Sequence, residues 1–393
     1  MDWKKLTQVQ LDNLPQITSA QTAIRGVFAT GLSKWIYAVS QAQRSGKKLN
    51  VICSLDSLTA NKGYVDKLRS ELQSVLGDGG MGYMGATSAA VAAEFGSTSP
   101  FGNSGGTTNT NANFDPATDD VYDPNLYSMN YAANGYMNLI DNVHTFDRAD
   151  VYYLKQPSGG TFQWGSGLNA TTIADMIAVS TSDTAKSIGS TSYTRFGASF
   201  GKGHMQVKSI VAPVRLLGVD LHNGTTGVRV HRLAQGGTQA RQVAQLDGTQ
   251  YSNFLKSIGC DLFVLNCGMN DAASQTEAVY DTDVRTILER ARTANPNCAI
   301  LLVMMNDTNL PAKNDTLEQF RQRLLRIAVD FDAEVFDTRW VIGSYAEANS
   351  DGRMSDGTHP TTAAMELIGE AVFNFIGGTY LQDVNGALAG KTI

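Results

Sequence analysis

The chain has 393 residues, of which 42% are hydrophobic, and a formal net charge of −6 at pH 7. A chain of this length exceeds one typical domain and has enough apolar side chains to fill two cores, which excludes a disordered protein. Charged residues make up only 17% of the sequence and acidic residues outnumber basic ones. Nucleic acid is therefore not expected as a partner.

Neither a membrane span nor a disulfide framework is predicted. The first five residues are followed by polar ones instead of an apolar signal-peptide core, and no stretch reaches about 18 consecutive apolar residues. The cysteines lie in or beside apolar runs without CxxC spacing, and we interpret them as buried thiols. They are Cys53, Cys260, Cys267 and Cys298.

The first 80 residues predict a helix followed by a strand, a turn and a second helix. Apolar residues recur at near-helical spacing over 23–42. Residues 49–55 form a continuous apolar run typical of a buried strand, and residues 64–76 place their leucines on one helical face. The intervening Asp56-Ser57-Leu58-Thr59 is therefore expected at a strand-to-helix turn.

The middle of the chain interrupts this α/β pattern. From 82 to 142, Gly, Ser, Thr, Asn and Tyr dominate without clear periodicity, which favours loops. From 149 to 221, β-type runs separated by turn residues predict a β-sandwich insertion. The predicted strands are 151–154, 161–164, 205–211 and 214–221.

Strands and helices alternate again after residue 228. The predicted strands are 228–234, 261–267, 299–305 and 333–336. The predicted helices lie near 252–258, 280–293, 317–331 and 362–376. Continuous apolar strands separated by amphipathic helices predict a parallel sheet covered on both faces. In such sheets the reactive residues gather beyond the carboxyl ends of the strands.

The predicted organisation has three parts. An N-terminal helical segment occupies residues 1–48. A discontinuous α/β domain occupies 49–80 and 228–393, and an inserted loop-rich and β-sandwich domain occupies 81–227. The fold class is therefore α/β with an inserted all-β part.

Four short sequence islands fall at the predicted strand ends and carry complementary chemistry. They are Asp56-Ser57-Leu58-Thr59, Gly236-Gly237, Gly268-Met269-Asn270-Asp271 and Asp356-Gly357-Thr358-His359-Pro360. They offer a hydroxyl, two sources of N–H donors and a histidine three residues after a carboxylate. Taken singly, Ser57 suits an ordinary helix N-cap and Asp356 an ordinary turn. Taken together, the four islands predict a serine esterase.

These islands resemble the four sequence blocks of the SGNH (GDSL-type) hydrolases. The resemblance covers roughly residues 49–80 and 228–380. It implies a flavodoxin-like parallel sheet with helices on both faces, and ester hydrolysis through a serine, a glycine, an asparagine and a histidine.

The resemblance also implies the role of each residue. The catalytic triad would be Ser57, Asp356 and His359, as nucleophile, orienting carboxylate and base. The oxyanion hole would be the backbone N–H groups of Ser57 and Gly237 and the side-chain amide of Asn270. Gly236 is the alternate for Gly237, because the sequence leaves the register open. No cofactor or metal is expected, and the substrate-binding residues are unknown.

One position departs from the family pattern. The first block begins with glycine in the family, whereas this sequence has Leu55. Leucine disfavours a positive φ and adds a side chain beside the nucleophile turn. We therefore expect an altered approach surface in front of a working site.

The insertion extends the resemblance to polysaccharide and peptidoglycan O-acetylesterases that carry inserted carbohydrate modules. It implies an O-acetylated glycan as the substrate, held beside Ser57 by the inserted domain, with no membrane partner. The polar, low-charge composition also resembles a bacteriophage tail or tailspike deacetylase. That resemblance implies a virion tail or extracellular location, with homo-oligomerisation or virion attachment through the N-terminal segment.

Two alternatives remain open. A glycan-binding or virion structural protein could keep the hydrolase scaffold with a silent site, and Leu55 is its best support. A lipase or thioesterase would need a large apolar approach to the site, whereas the inserted segment is polar.

Aromatic and histidine residues outside the islands are interpreted as structural. The aromatic residues Tyr152, Tyr153, Phe162 and Trp164 fit a strand core better than a sugar-stacking platform. The other histidines, which lack metal-ligand spacing, are His144, His204, His222 and His231.

Overall fold

A computed structural model describes residues 31–86, 101–110, 124, 126–140, 146–169, 172–173, 177–194 and 204–377. The strands are β1 (Leu49–Leu55), β2 (Gly82–Gly85), β3 (Phe101–Thr110), β4 (Tyr127–Ile140), β5 (Arg148–Lys155), β6 (Thr161–Asn169), β7 (Thr172–Ile173), β8 (Ile177–Ser180), β9 (Ser187–Thr194), β10 (His204–Val211), β11 (Val214–His222), β12 (Val228–Ala234), β13 (Leu262–Asn266), β14 (Ala299–Met304) and β15 (Glu334–Asp337).

The helices are α1 (Ser33–Ser45), α2 (Ser57–Ala60), α3 (Tyr64–Leu76), α4 (Ala240–Ala244), α5 (Gly248–Ile258), α6 (Glu277–Ala294), α7 (Pro311–Phe331), α8 (Arg339–Ile342), α9 (Tyr345–Ser350) and α10 (Thr362–Phe375). A short 3₁₀ helix, Asp271–Ala273, follows β13. Within the described ranges, no helix combines the length and apolar character needed to cross a membrane.

The parallel strands run in the order β15-β14-β13-β1-β12. β1 pairs with β12 along its whole length, from Leu49 opposite Val228 to Leu55 opposite Ala234. Its other edge pairs with β13. The strand order reverses at β1, as in doubly wound sheets, so the loop after β1 opens at the position where such folds bind ligands. The predicted parallel sheet is confirmed.

Helices cover both faces of this sheet. On one face, α5, α6 and α7 contribute Phe254, Ile287 and Phe320 to an apolar cluster. On the other face, α1, α3 and α10 contribute Trp35, Leu68 and Ile368 to a second cluster. Strand β1 supplies side chains to both clusters, which explains why its sequence is a continuous apolar run.

Many element boundaries agree with the predictions within a few residues, but β5 begins at 148 instead of 151, β6 runs to 169 instead of 164, and several helices begin early. β1, α3 and β12 have the predicted limits. α5 begins at Gly248 because the Asp247 carboxylate accepts from the Gln250 N–H at 2.8 Å, and α7 begins at Pro311. Caps and an N-terminal proline start these helices one or two turns before the apolar periodicity does. Residues 23–30 of the first predicted helix lie outside the described residues.

The inserted strands are antiparallel and continue the parallel sheet through β2. Met84 of β2 pairs in parallel with Arg232 of β12, and β2 also pairs antiparallel with β11. Strand β11 pairs with β4 and β5, and β4 pairs with β10. These strands have their own apolar cluster, which contains Phe162 and Trp164. All four aromatic residues predicted to be strand core are buried.

The prediction of loops over 82–142 is wrong for the part that the structure describes. β2, β3 and β4 lie in this segment, and β3 pairs with β4 over most of its length. The ladder has a register shift between Ser104 and Gly106. On the partner strand, residues 132–134 are exposed and Asn134 has a φ of 64°. This irregularity interrupts the two-residue alternation by which a strand is recognised.

Candidate active site

The predicted nucleophile lies at the turn between β1 and α2. Asp56 is the N-cap of α2, and its carboxylate accepts a hydrogen bond from the Leu58 N–H at 3.1 Å. Ser57 is the first residue of the helix, so its N–H has no partner inside the helix. The side chain of Ser57 is 9% exposed, at the carboxyl edge of the parallel sheet.

Leu55 adopts the positive φ that the family glycine would supply. Its φ is 112°, and its side chain is 1% exposed inside the apolar cluster on the α5–α7 face. A non-glycine residue in such a conformation carries a strain of about 1–3 kcal/mol, which surrounding packing must offset. The expectation of an altered approach surface is wrong, because the leucine side chain points into the core and leaves the turn geometry in place.

Ser57, His359 and Asp356 form a continuous hydrogen-bonded chain. Ser57 Oγ lies 2.9 Å from His359 Nε2, and His359 Nδ1 lies 2.9 Å from Asp356 Oδ2. The backbone N–H groups of His359 and Thr358 both donate to Asp356 Oδ1 at 2.7 Å. The His359 N–H bond is the main cause that lowers the pKa of Asp356 to about 2. A charged Asp356 accepts a hydrogen bond from Nδ1–H, and this tautomer leaves Nε2 able to accept a hydrogen bond from the serine hydroxyl.

The histidine loop is held by a residue that the sequence analysis did not single out. Asn306 follows β14, and its side-chain amide donates to the carbonyl of Thr358 at 2.9 Å. The Asn309 N–H donates to the Gly357 carbonyl at 2.8 Å. A Cβ at Gly357 would collide with the Asn309 side chain, so glycine permits this close approach. An asparagine directly after the apolar run of β14 was the available sequence signal.

The two glycines of the second island lie in a turn beside the serine. The Thr238 N–H donates to the Gln235 carbonyl at 3.3 Å, and Gly237 has a φ of 84°. A Cβ built on Gly236 would lie 3.9 Å from the Ser57 Cβ, whereas one on Gly237 would meet nothing within 4 Å. The structure therefore brings Gly236, the predicted alternate, against Ser57, with Gly237 next in the turn.

Asn270 is tied to the same turn. Its side-chain amide donates to the Thr238 carbonyl at 3.0 Å, and its own carbonyl accepts from the Gln239 side chain at 3.2 Å. An amide group has two N–H donors, so one donor positions the side chain and the other remains for a ligand. Asp271 adds a further tie, because its carboxylate accepts from the Ala240 N–H at 2.8 Å.

Two buried carboxyl groups lie behind these loops. Burial raises the pKa of Asp56 to about 8 and that of Asp271 to about 7. These shifts favour the protonated form of Asp56 at neutral pH, whereas the exposed Asp356 is ionised. A neutral Asp56 still accepts from the N–H groups of the serine turn.

An open cleft of about 340 Å³ lies beside the histidine. Its lining is mostly polar and consists of Asn61, Lys62, Ser355, Asp356, His359, Pro360, Thr362 and Met365. Amide, hydroxyl and ammonium groups therefore face this space from the serine helix and from the histidine loop.

One His–carboxylate cluster with metal-like spacing occurs among the described residues, away from these loops. It comprises Asp150, Asp220 and His222. Arg229 donates to Asp220 at 2.6 Å, and Arg148 donates to Asp150 at 2.7 Å. The two arginines neutralise the two carboxylates, so the cluster is an ionic network that joins β5 and β11 to β12. His222 thus has the structural position expected for it.

His231 is also structural, since its Nδ1 accepts from the Tyr83 N–H at 2.8 Å. His144 and the side chain of His204 lie outside the described residues. The four cysteines are buried, as predicted.

Comparison with known proteins gives one family match. Residues 192–367 match the model of the GDSL-like lipase/acylhydrolase family. This range contains the second, third and fourth islands and begins after Ser57. No curated protein sequence gives a significant match.

One solved structure extends the comparison to most of the chain. A peptidoglycan O-acetylesterase is 18% identical, with a TM-score of 0.68 over 92% of this chain and 97% of that one. A family two carbohydrate esterase from Clostridium thermocellum in complex with cellohexaose is 12% identical, with a TM-score of 0.30 over 70% of this chain and 100% of that one. A lipolytic G-D-S-L family protein from Veillonella parvula is 14% identical, with a TM-score of 0.31 over 37% and 79%.

The first of these likenesses shows a shared fold that includes the inserted strands as well as the parallel sheet. The family model independently covers the carboxyl-terminal islands. Residues 192–367 are therefore similar to the GDSL-like lipase/acylhydrolase family, and the chain shares the fold of a peptidoglycan O-acetylesterase.

Proposed function

We propose that this protein is a serine esterase that removes O-acetyl groups from a polysaccharide or other glycan. The observation that carries the proposal is the 2.9 Å contact between Ser57 Oγ and His359 Nε2, with Nδ1 of the same ring held by Asp356. A hydroxyl in this position can lose its proton as it attacks an ester carbonyl.

The proposed reaction proceeds through an acetyl-enzyme. Ser57 Oγ attacks the acetyl carbonyl carbon while its proton passes to His359 Nε2. The tetrahedral intermediate collapses, and the leaving sugar oxygen takes that proton from His359. Water then attacks the acetyl-enzyme with His359 again as base, and acetate leaves Ser57. Asp356 stays charged throughout and stabilises the imidazolium.

The oxyanion would be stabilised by three donors around Ser57. They are the Ser57 N–H, one N–H of the Asn270 amide and the N–H of Gly236 or Gly237. Neither glycine N–H donates to another group in the described part of the chain, so both are available. Because Gly236 lies nearer to Ser57, we favour its N–H as the third donor over that of Gly237, the residue that the sequence predicts.

Two observations support a glycan as the source of the acetyl group. The shared fold with a peptidoglycan O-acetylesterase extends over the inserted strands, which in this proposal help to hold the polymer. The cleft beside His359 offers Asn61, Ser355 and Thr362, whose hydrogen-bonding groups suit sugar hydroxyls better than a fatty acyl chain. A virion tail or an extracellular location is part of the same proposal, because acetylated polysaccharides are cell-surface polymers.

The direct test is the Ser57→Ala variant. We expect its hydrolysis of p-nitrophenyl acetate, and its release of acetate from an acetylated polysaccharide, to fall about 10⁴-fold or more. A fluorophosphonate probe should label wild-type protein at Ser57 and leave the variant unlabelled. Ser74→Ala, at an exposed serine on α3, is the matched control and should retain both activities.

The outcomes separate the alternatives. Retention of most esterase activity in the Ser57→Ala variant would remove Ser57 from its role, and an unlabelled wild-type protein would favour a silent binding module. Hydrolysis of long-chain p-nitrophenyl esters faster than the acetate ester, without acetate release from any polysaccharide, would favour the lipase alternative.

A further inference from the structure

Two of the buried cysteines lie in direct contact at the end of the sheet opposite the active site. Cys260 Sγ lies 3.0 Å from Cys298 Sγ. Cys260 comes just before β13 and Cys298 just before β14, and these strands are neighbours in the parallel sheet. Both side chains are buried. The two sulfur atoms are thus about 1 Å farther apart than the S–S bond length of about 2.05 Å.

The backbone holds this pair independently of the sulfur atoms. The Ala299 N–H donates to the Asp261 carbonyl at 2.9 Å, which fixes the start of β14 against the start of β13. The Asn295 side chain donates to the Cys260 carbonyl at 2.8 Å, and the Cys298 N–H donates to the Asn295 carbonyl at 2.9 Å. Asn295 therefore bridges both cysteine residues, and bond formation requires only a small side-chain movement.

We propose that Cys260 and Cys298 form an intramolecular disulfide when the protein folds in the presence of a disulfide-class oxidant. Such an oxidant is oxidised glutathione or a protein dithiol oxidase. One cysteine sulfur attacks the oxidant's S–S bond, and a thiol leaves. The second cysteine sulfur then attacks the cysteine sulfur of this mixed disulfide and displaces the second thiol of the oxidant. One S–S bond breaks and one forms, and the two cysteine protons end on the two released thiols.

The remaining cysteines do not compete for this bond. Cys53 lies in the apolar cluster on the α1–α3 face of the sheet, whereas Cys260 and Cys298 lie in the cluster on the α5–α7 face. Cys267 follows β13 at its other end, where its Sγ lies 3.2 Å from the Tyr280 hydroxyl. The sheet separates Cys53 from the pair, and the length of β13 separates Cys267 from it.

The surroundings of the pair determine when the bond can form. The hydrogen bond between the two thiols and their burial raise the pKa of Cys260 well above its usual range. The thiolate form of Cys260, which would attack the oxidant, is therefore scarce in the folded protein. We expect oxidation during folding, before α6 covers the strands, and slow reduction afterwards. Since the catalytic loops lie at the opposite strand ends, hydrolysis should be insensitive to the bond.

The test compares protein refolded with a glutathione redox pair and protein refolded with dithiothreitol. In the oxidised sample, non-reducing peptide mapping should identify a peptide pair that links Cys260 to Cys298 and has lost two hydrogens. The thiol count in denaturant should fall from four to two. The melting temperature should rise by at least about 3 °C, while turnover of p-nitrophenyl acetate stays within about twofold.

Two alanine variants control the experiment. Cys298→Ala should lack the linked peptides and show the same melting temperature after both treatments. Cys53→Ala, at an equally buried cysteine, should keep the link. Four free thiols in the oxidised wild type, a link through Cys53 or Cys267, or a linked protein that melts no higher than the reduced one would each overturn the proposal.

Discussion

Polar side chains have different kinds of hydrogen-bond partner at the carboxyl edge of the parallel sheet and at its border with the inserted strands. At the carboxyl edge of the parallel sheet, Ser57 and His359 are hydrogen-bonded to each other, and Asn270 is held through one of its two amide donors, which leaves the other for a ligand. At the border with the insertion, Asp220 and Asp150 are instead paired with Arg229 and Arg148. The first arrangement leaves hydrogen-bonding capacity for substrate, whereas the second uses it to join the two regions.

From this contrast we expect the two regions to have different roles. In the proposed mechanism the loops of the parallel sheet supply every catalytic residue, and the inserted strands supply none. Small acetate esters should then depend on the parallel region alone, and polymeric substrates on both regions. Four sets of variants, ordered by the size of the expected effect, test or refine this comparison.

Removal of a large side chain from the core of the insertion tests the independence of the two regions. Trp164 on β6 is fully buried, so Trp164→Ala should destabilise the inserted strands by about 3–5 kcal/mol. Calorimetry should show an early transition for this region. Hydrolysis of p-nitrophenyl acetate should stay within about threefold of wild type at 25 °C, while acetate release from polysaccharide falls.

The matched control for that variant is Trp340→Ala, because Trp340 on α8 is 51% exposed. It should leave the unfolding profile nearly unchanged. A single unfolding transition in the Trp164→Ala variant, with equal loss of both activities, would show that the two regions are one cooperative unit and would break the comparison.

Removal of the amide donor tests the parallel region. Asn270→Ala should lower kcat/KM for p-nitrophenyl acetate by about 10²–10³-fold, the usual loss for one oxyanion-hole donor. Its melting temperature should change little, because the side chain is only half-buried. Asn349→Ala, at an exposed asparagine on α9, is the control. A wild-type rate in the Asn270→Ala variant would contradict the donor role.

Asp56 should make the stability of the parallel region depend on pH. Its folded pKa of about 8 lies above the unfolded value of 3.8, so its contribution is complete below about pH 4 and is lost as the pH rises through 8. The loss is at most about 1.4 kcal/mol per pH unit. The Asp56→Asn variant keeps a neutral N-cap and should therefore gain on wild type as the pH rises.

Urea denaturation of both proteins at pH 5, 6, 7 and 8 measures this difference. Asp351→Asn, at an exposed aspartate, should show no such trend relative to wild type. A constant difference between the Asp56→Asn variant and wild type across the series would mean that Asp56 is ionised in the folded protein.

Substitutions at Leu55 test whether the serine turn is strained. In a strand, alanine is normally more stable than glycine by about 0.5–1 kcal/mol. At a φ of 112° the order should reverse, so Leu55→Gly should be more stable to urea than Leu55→Ala by about 1 kcal/mol. The glycine and alanine variants of Ile52, a buried β1 residue with an ordinary φ, should show the usual order, with alanine more stable than glycine. The normal order at both positions would argue against strain at Leu55.

Much of the parallel region can be predicted from patterns of neighbouring residues in the sequence. A strand buried on both faces must be apolar at every position, which made β1, β12, β13 and β14 recognisable. The polar residues that end such runs then fall at one edge of the sheet, and this is how Ser57, Asn270 and His359 were predicted to meet. The tight Asp356–His359 loop is local as well, since three residues separate its members.

Other features depend on contacts between distant parts of the chain, which no local pattern reports. Leucine tolerates a positive φ at position 55 because side chains from other strands and helices pack around it. Gly236 lies against Ser57 because β12 pairs with β1 in one particular register. β4 is a strand because β3 and β10 pair with its backbone, although its sequence lacks clean alternation.

The sequence by itself therefore determined the parallel sheet, the edge at which the candidate catalytic residues lie and the chemical groups at that edge. Strand burial and helix capping each involve a few neighbouring residues, so both can be recognised as patterns in the sequence. Only the tertiary structure decided how Leu55 is accommodated, which glycine faces the serine, that Asn306 secures the histidine loop and that Cys260 meets Cys298. These features come from the packing and register of segments far apart in sequence, whose energies depend on the assembled fold.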